Sequence, residues 1–153
     1  MKKLLAGTLL AATVLWRVNA EDARWLTDVP KAEAQAKSEN KIILMDFTGS
    51  DWCSWCIKFK KEVLDTKEFQ DYAAKNVVLV ELDYPHQKAQ SEDLKNANAA
   101  LKAKYQISGF PTLVVLDRVG KEIGRQVGYE EGGPKAFIAK LEDFKAGKKP
   151  GKG

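Results

Sequence analysis

Cysteine and histidine are almost missing from this chain of 153 residues: Cys53, Cys56 and His86 are the whole supply. A structural zinc site takes four ligands, so zinc would have to recruit carboxylates, and nothing in the sequence places His86 near the cysteine pair. Two cysteines also make no disulfide framework of the small secreted kind, and a chain this long builds its core without one. Long apolar runs are lacking too. Leu4–Leu15, broken only by Gly7, Thr8 and Thr13, covers about twelve residues, short of the roughly 20 that span a bilayer.

That run follows Met1-Lys2-Lys3 and precedes Val18-Asn19-Ala20, small or aliphatic residues where a signal peptidase cuts. A signal peptide over residues 1–20 is expected, and with it a periplasmic or secreted protein; the alternative is an uncleaved segment acting as a membrane anchor. Excess charge of either sign is also lacking. Lys2, Lys3 and Arg17 leave with the signal peptide, so the formal charge of +4 falls to +1, with 22 basic residues against 21 acidic. A domain this close to neutral offers no basic face for nucleic acid.

What remains reads as one domain over residues 21–146 with a disordered polar tail, 147–153. Asp28 and Pro30 open a helix that runs to Glu39. The apolar stretch "KIILMDF" (41–47) is a strand buried on both faces. A loop, Thr48 to Trp52, leads to a helix from about Cys53 to Leu64, and Asp65 with Glu68 forms a capping-box pattern for the next helix. "NVVLVELDY" (76–84) is a second buried strand. Leu94, Ala97, Leu101 and Tyr105 mark a helix by their spacing. "PTLVVLD" (111–117) and "EIGRQVGY" (122–129) are strands joined by a turn at Arg118–Lys121. Phe137, Leu141 and Phe144 stripe a final helix. Alternating strands and helices followed by a hairpin predict an α/β protein: a mixed four-stranded sheet with helices on both faces.

The cysteine pair follows the first buried strand, at the carboxyl end of the sheet where open α/β folds carry their sites. Residues three apart at a helix start share a face, and their Cα separation of about 5–6 Å suits a disulfide. Cys53 in the first turn would lie among unpartnered backbone N–H groups, which favour a thiolate and lower a cysteine pKa from about 8.5 to about 7 or less. On that reading Cys53 attacks and Cys56 resolves. Two other readings stay open. A structural staple closing so short a loop contributes only about 2 kcal/mol, and a copper site of two cysteines and His86 would need the histidine brought in.

"MDFTGSDWCSWC" followed by "GFPT" (109–112) resembles the thioredoxin superfamily over roughly residues 25–145, and within it the exported thioredoxin-like proteins with a W-C-x-W-C motif. "DYP" (83–85), "LDRVGKEIGR" (116–125) and "GY" (128–129) fit the same subgroup. The resemblance implies a thioredoxin fold and a thiol–disulfide oxidoreductase working on protein disulfides outside the cytoplasm. It implies a cis Pro111 facing the cysteines, with the Phe110 main chain free to pair with substrate. It also implies that Asp46 is a buried carboxylate moving a proton for the deeper cysteine. Trp52 and Trp55 form an apolar rim for substrate or pack beside the helix. Ser54-Trp55 between the cysteines, with no histidine there, implies a reducing or intermediate potential. The lysine that thioredoxins carry in the central strand is replaced by the acidic "VVLVELD". Lys58 and Lys60 read as solvated, and Tyr105 and Tyr129 as packing on the sheet. No cofactor or metal is needed on this reading. A separate thiol–disulfide donor or acceptor must reset the pair, and a monomer is expected. The alternative function is a copper-binding or adaptor protein on the same fold.

Overall fold

The computed structural model describes residues 24–148, so the expected signal peptide (1–20) and the tail beyond Lys148 lie outside the described residues. Eleven elements follow in order. Strand β1 is Trp25–Leu26, helix α1 Val29–Glu39 and strand β2 Ile42–Thr48. Helix α2, Ser54–Phe59, runs into a π-helical turn, Lys60–Leu64. Then come α3 (Lys67–Asn76), β3 (Val77–Asp83) and α4 (Glu92–Lys104). Strands β4 (Thr112–Leu116) and β5 (Glu122–Val127) precede α5 (Gly133–Lys145).

The sheet is mixed and has five strands in the order β1-β3-β2-β4-β5, one more than the sequence predicts. The extra strand is β1, which adds a parallel edge through Trp25↔Leu79 and Leu26↔Val80. Two residues are too few to display a strand's alternation. β2 runs parallel to β3 and antiparallel to β4, and β4 pairs antiparallel with β5. Both faces are covered, which is why β2 is buried from Ile42 to Thr48 without a break. On one side Ile43, Met45 and Phe47 meet Val29, Ala32 and Ala36 of α1 and Tyr105 after α4. On the other, Ile42 and Leu44 meet Phe59, Val63 and Leu64, with Phe69, Phe137, Leu141 and Phe144 completing the layer.

Local signals explain most helix ends, with two corrections. Asp28 caps α1 as expected, its Oδ1 accepting from Lys31 N at 2.9 Å. The cap of α3 is Thr66 rather than Asp65: Thr66 Oγ1 accepts from Phe69 N, while Asp65 N reaches back five residues to Lys60 O and closes the π turn. That wider turn lets the consecutive residues Val63 and Leu64 both enter the core. On α4 the inward position between Leu94 and Leu101 belongs to Asn98, four residues after Leu94, and Ala97 is exposed. The Arg118–Lys121 turn forms as expected, with Asp117 Oδ1 accepting from Val119 N and Lys121 N and Gly120 taking a φ of 82°.

Candidate active site

β2 delivers the chain to residues 49–53 at the carboxyl end of the sheet. There Cys53 N donates to Gly49 O at 2.9 Å, and Cys53 serves as the N-cap of α2. Cys53 and Cys56 are joined as a disulfide with a Cα separation of 5.2 Å. Cys56 N points at Cys53 Sγ and donates to it at 3.2 Å. An N-cap side chain normally accepts from N–H groups of the first turn, and here the acceptor is a sulfur. Both residues are largely covered, Cys53 at 7 % exposure and Cys56 at 3 %.

Trp52 precedes the pair and Trp55 lies between its two cysteines, and both are open to solvent: Trp52 is 41 % exposed and Trp55 54 %. Trp52 is pinned, since its Nε1 donates to Tyr84 O at 2.8 Å. Its ring meets Phe110 edge-on at 5.8 Å, which brings the segment before β4 against the cysteine loop. The Phe110–Pro111 peptide is cis. Pro111 is buried and its carbonyl accepts from Gly128 N at 2.8 Å. Trp55 stacks on Tyr129 at 5.4 Å, and Lys58 Nζ lies 4.5 Å from the Tyr129 ring centre. Tyr129 OH donates to Glu62 Oε2 at 2.6 Å. Tyr129 therefore sits against the cysteine helix rather than only against the sheet, whereas Tyr105 is buried under the sheet as expected.

Asp46 lies two residues before the end of β2, on the face shared by Ile42 and Leu44, which α2 and the π turn cover. It is 5 % exposed, and its Oδ1 has no hydrogen-bond partner among the described residues. Burial chiefly, then the charge of Glu81, pushes its carboxyl up to about 7; Lys60 pulls the other way and Asp83 adds to the rise. Glu81 is its register partner on β3. Lys60, on the π turn, reaches solvent as expected, its Nζ 3.2 Å from Asp65 Oδ1 and 5.5 Å from the Trp25 ring centre.

Two more residues join the site: His86, weighed from sequence only as a loop residue or metal ligand, and Asp51, which the sequence did not mark. His86 is brought in from the β3–α4 loop and lies flat on Trp52, ring centres 4.4 Å apart. Asp51 holds that loop, its carboxylate accepting from the backbone N–H groups of His86, Gln87 and Lys88 at 2.7–2.9 Å. These bonds hold the Asp51 carboxyl down at about 2. Ser50 adds a second tie, its N and Oγ both donating to Asp83. The signal for Asp51 was its place beside Trp52; its partners lie 35 to 37 residues away, beyond any local pattern. Among the described residues no three side chains of His, Cys, Asp or Glu gather as a metal site, and no helix is long and apolar enough to cross a membrane.

A family model described as a thioredoxin-like domain matches residues 29–145. The disulfide bond reductase DsbH of Chlamydia pneumoniae is 37 % identical over 134 residues, which cover 88 % of this chain and 74 % of that protein. The thioredoxin-related protein DsbJ of the same organism is 34 % identical over 129 residues; the match covers 80 % of this chain but only 37 % of that longer relative. A solved structure of a DsbH oxidoreductase aligns with a TM-score of 0.75 at 36 % identity, covering 91 % of this chain and 94 % of that one.

Proposed function

The chain belongs to the thioredoxin-like family and is a thiol–disulfide oxidoreductase, and from that premise we propose that it reduces disulfides of exported proteins through Cys53 and Cys56. The observation that carries this reading is a disulfide seated on the cap of a helix, with an N–H already aimed at the Cys53 sulfur. In the reduced form the Cys53 thiolate attacks one sulfur of the client disulfide. A Cys53–client bond forms, the client S–S bond breaks, and the other client sulfur leaves as a thiolate that takes up a proton. Cys56, losing its proton, then attacks Cys53 Sγ, restores the internal disulfide and releases the second client thiol. Two electrons pass to the client, and a separate dithiol must return them.

Asp46 is the group assigned to the proton of Cys56. A carboxyl near 7 exchanges protons at neutral pH, and it lies on the strand face that the cysteine helix covers. Trp52 and Trp55 supply apolar contact to the client on either side of the pair. Phe110, followed by a proline that has no N–H, offers its main chain ahead of β4 for an extended client segment, with Pro111 facing the pair. Ser54-Trp55 brings no charged donor between the cysteines, which supports a potential nearer the thioredoxin value of about −270 mV than the about −120 mV of a strong oxidant. Placement outside the cytoplasm rests on residues 1–20, and N-terminal sequencing of the mature protein checks it.

The deciding assay is reduction of insulin disulfides with a dithiol as electron source. Cys53→Ser is expected to abolish turnover with the fold intact, and Cys56→Ser to accumulate a mixed disulfide. Full turnover by Cys53→Ser would overturn the assignment.

A further inference from the structure

Against Trp52, the residue before Cys53, lies a cleft of about 410 Å³, within the ~300–1,000 Å³ usual for ligand sites. Its walls are aromatic: Trp52, Tyr84, His86 and Phe110 line it. Tyr84 and Phe110 are 5.1 Å apart, so with the Trp52–Phe110 and Trp52–His86 contacts the four rings form one connected surface. Three cations line the same space, Lys88, Lys95 and Lys102, and no carboxylate side chain does. In a domain whose formal charge is near zero, three lysines gather on one cleft, with the nearest carboxylates behind its wall: Asp51 on the Lys88 backbone, Asp83 on Ser50 and Glu92 on Lys95.

The lysines are available to a ligand. Lys102 Nζ stands 5.1 Å from the Phe110 ring centre and 5.7 Å from that of Tyr84, held over the aromatic wall by cation–π attraction. Lys88 Nζ donates to Ser50 Oγ at 2.8 Å. Among the described residues neither of them has a salt-bridge partner, and Lys95 has only Glu92, in an exposed pair of little strength. The cleft is also preformed, because Asp51 clamps residues 86–88 to the cysteine loop through three hydrogen bonds. Trp52, which lines the cleft, immediately precedes Cys53, so the cleft adjoins the loop that carries the attacking cysteine.

We infer that this cleft docks an acidic residue of the client polypeptide, so that the protein selects disulfides flanked by Asp or Glu. The inference rests on the reductase reading above and names the clients it favours. A carboxylate meets the three ammonium groups, while the aliphatic part of the same side chain lies on the rings. Asp51 is the positioning residue that keeps the cleft in shape.

The test uses three disulfide-bonded peptides identical except for the residue flanking the cysteine: Glu, Gln or Lys. Pre-reduced protein is mixed with each in a single-turnover experiment followed by tryptophan fluorescence. The Glu peptide is expected to react about tenfold faster than the Lys peptide at low salt, at the lower end of what electrostatic steering supplies. That advantage is expected to collapse toward unity at about 1 M salt, where the screening length is about 3 Å. The combined substitutions K88E, K95E and K102E should reverse the order in favour of the Lys peptide. If that variant does not fold, the salt series on the unaltered protein decides alone. Equal rates for all three peptides would overturn the docking inference and leave the reductase reading standing; failure to reduce any of them would overturn both. A preference for glutathione disulfide over a neutral disulfide, with no discrimination among the peptides, would reassign the cleft to a small anion and refute the polypeptide client.

Discussion

Replacing Asp46 by Asn removes a buried ionisation while keeping the shape of the side chain. Burial and the Glu81 charge raise the Asp46 carboxyl from 3.8 to about 7 in the folded protein. An acid whose folded pKa exceeds its unfolded one keeps its proton in the fold, so its contribution to stability is complete below pH 3.8 and is lost as the pH rises through 7. Three pKa units at about 1.4 kcal/mol each amount to about 4 kcal/mol of lost stability by neutral pH. Set against a total of roughly 5–15 kcal/mol for a domain, that loss is easily measured. Urea unfolding of the disulfide form at intervals from pH 4 to 8 reads it directly. Relative to Asp46→Asn, the unaltered protein should lose about 1.4 kcal/mol per pH unit between pH 4 and 7 and then level off. Two stability curves running parallel over that range would refute the buried-acid account, and with it the assignment of Asp46 to proton transfer near neutrality.

Asp51 has the opposite sign. Its folded pKa is depressed to about 2 by three backbone N–H groups, so its contribution is full above 3.8 and disappears as the pH falls toward 2. Asp51→Asn should remove that acid limb from urea-unfolding curves. In the reduced protein, thiolate absorbance against pH should show Cys53 ionising below the ordinary cysteine range, because Cys56 N stabilises the charge; ionisation at the ordinary value would count against attack by Cys53. Gly49→Ala would drive a Cβ to 2.5 Å from the Trp52 ring. The indole should leave its bond to Tyr84 O, changing tryptophan fluorescence and slowing client reduction. Gly124→Ala meets the Phe144 ring at 2.3 Å, and overpacking of this kind should cost about 1–3 kcal/mol in urea unfolding with the redox chemistry kept.

Several parts of the molecule were legible because their causes are local. Asp28 ahead of Pro30, the continuous apolar stretches of β2 and β3, and the Phe137–Leu141–Phe144 stripe each carry their own period or cap. Thr66 was overlooked as a cap because Asp65 and Glu68 mimic a capping box while a π turn shifts the helix start by one residue. Asn98 is a polar residue on an apolar stripe, and its inward place depends on distant partners: its side-chain Nδ2 donates to Asp83 O and its main-chain carbonyl accepts from Tyr84 OH.

The sequence alone determined that two cysteines three residues apart begin a helix after a buried strand, since strand burial and helix starts are set by neighbours along the chain. The tertiary structure decided what surrounds them. Glu81 lies opposite Asp46, Asp51 grips residues 86–88, His86 lies on Trp52, and three lysines share one cleft with four rings. Each of these depends on which loops the strand order brings to one end of the sheet. Pairings between side chains from separate loops leave no period in a sequence, so they become visible only when the chain is folded.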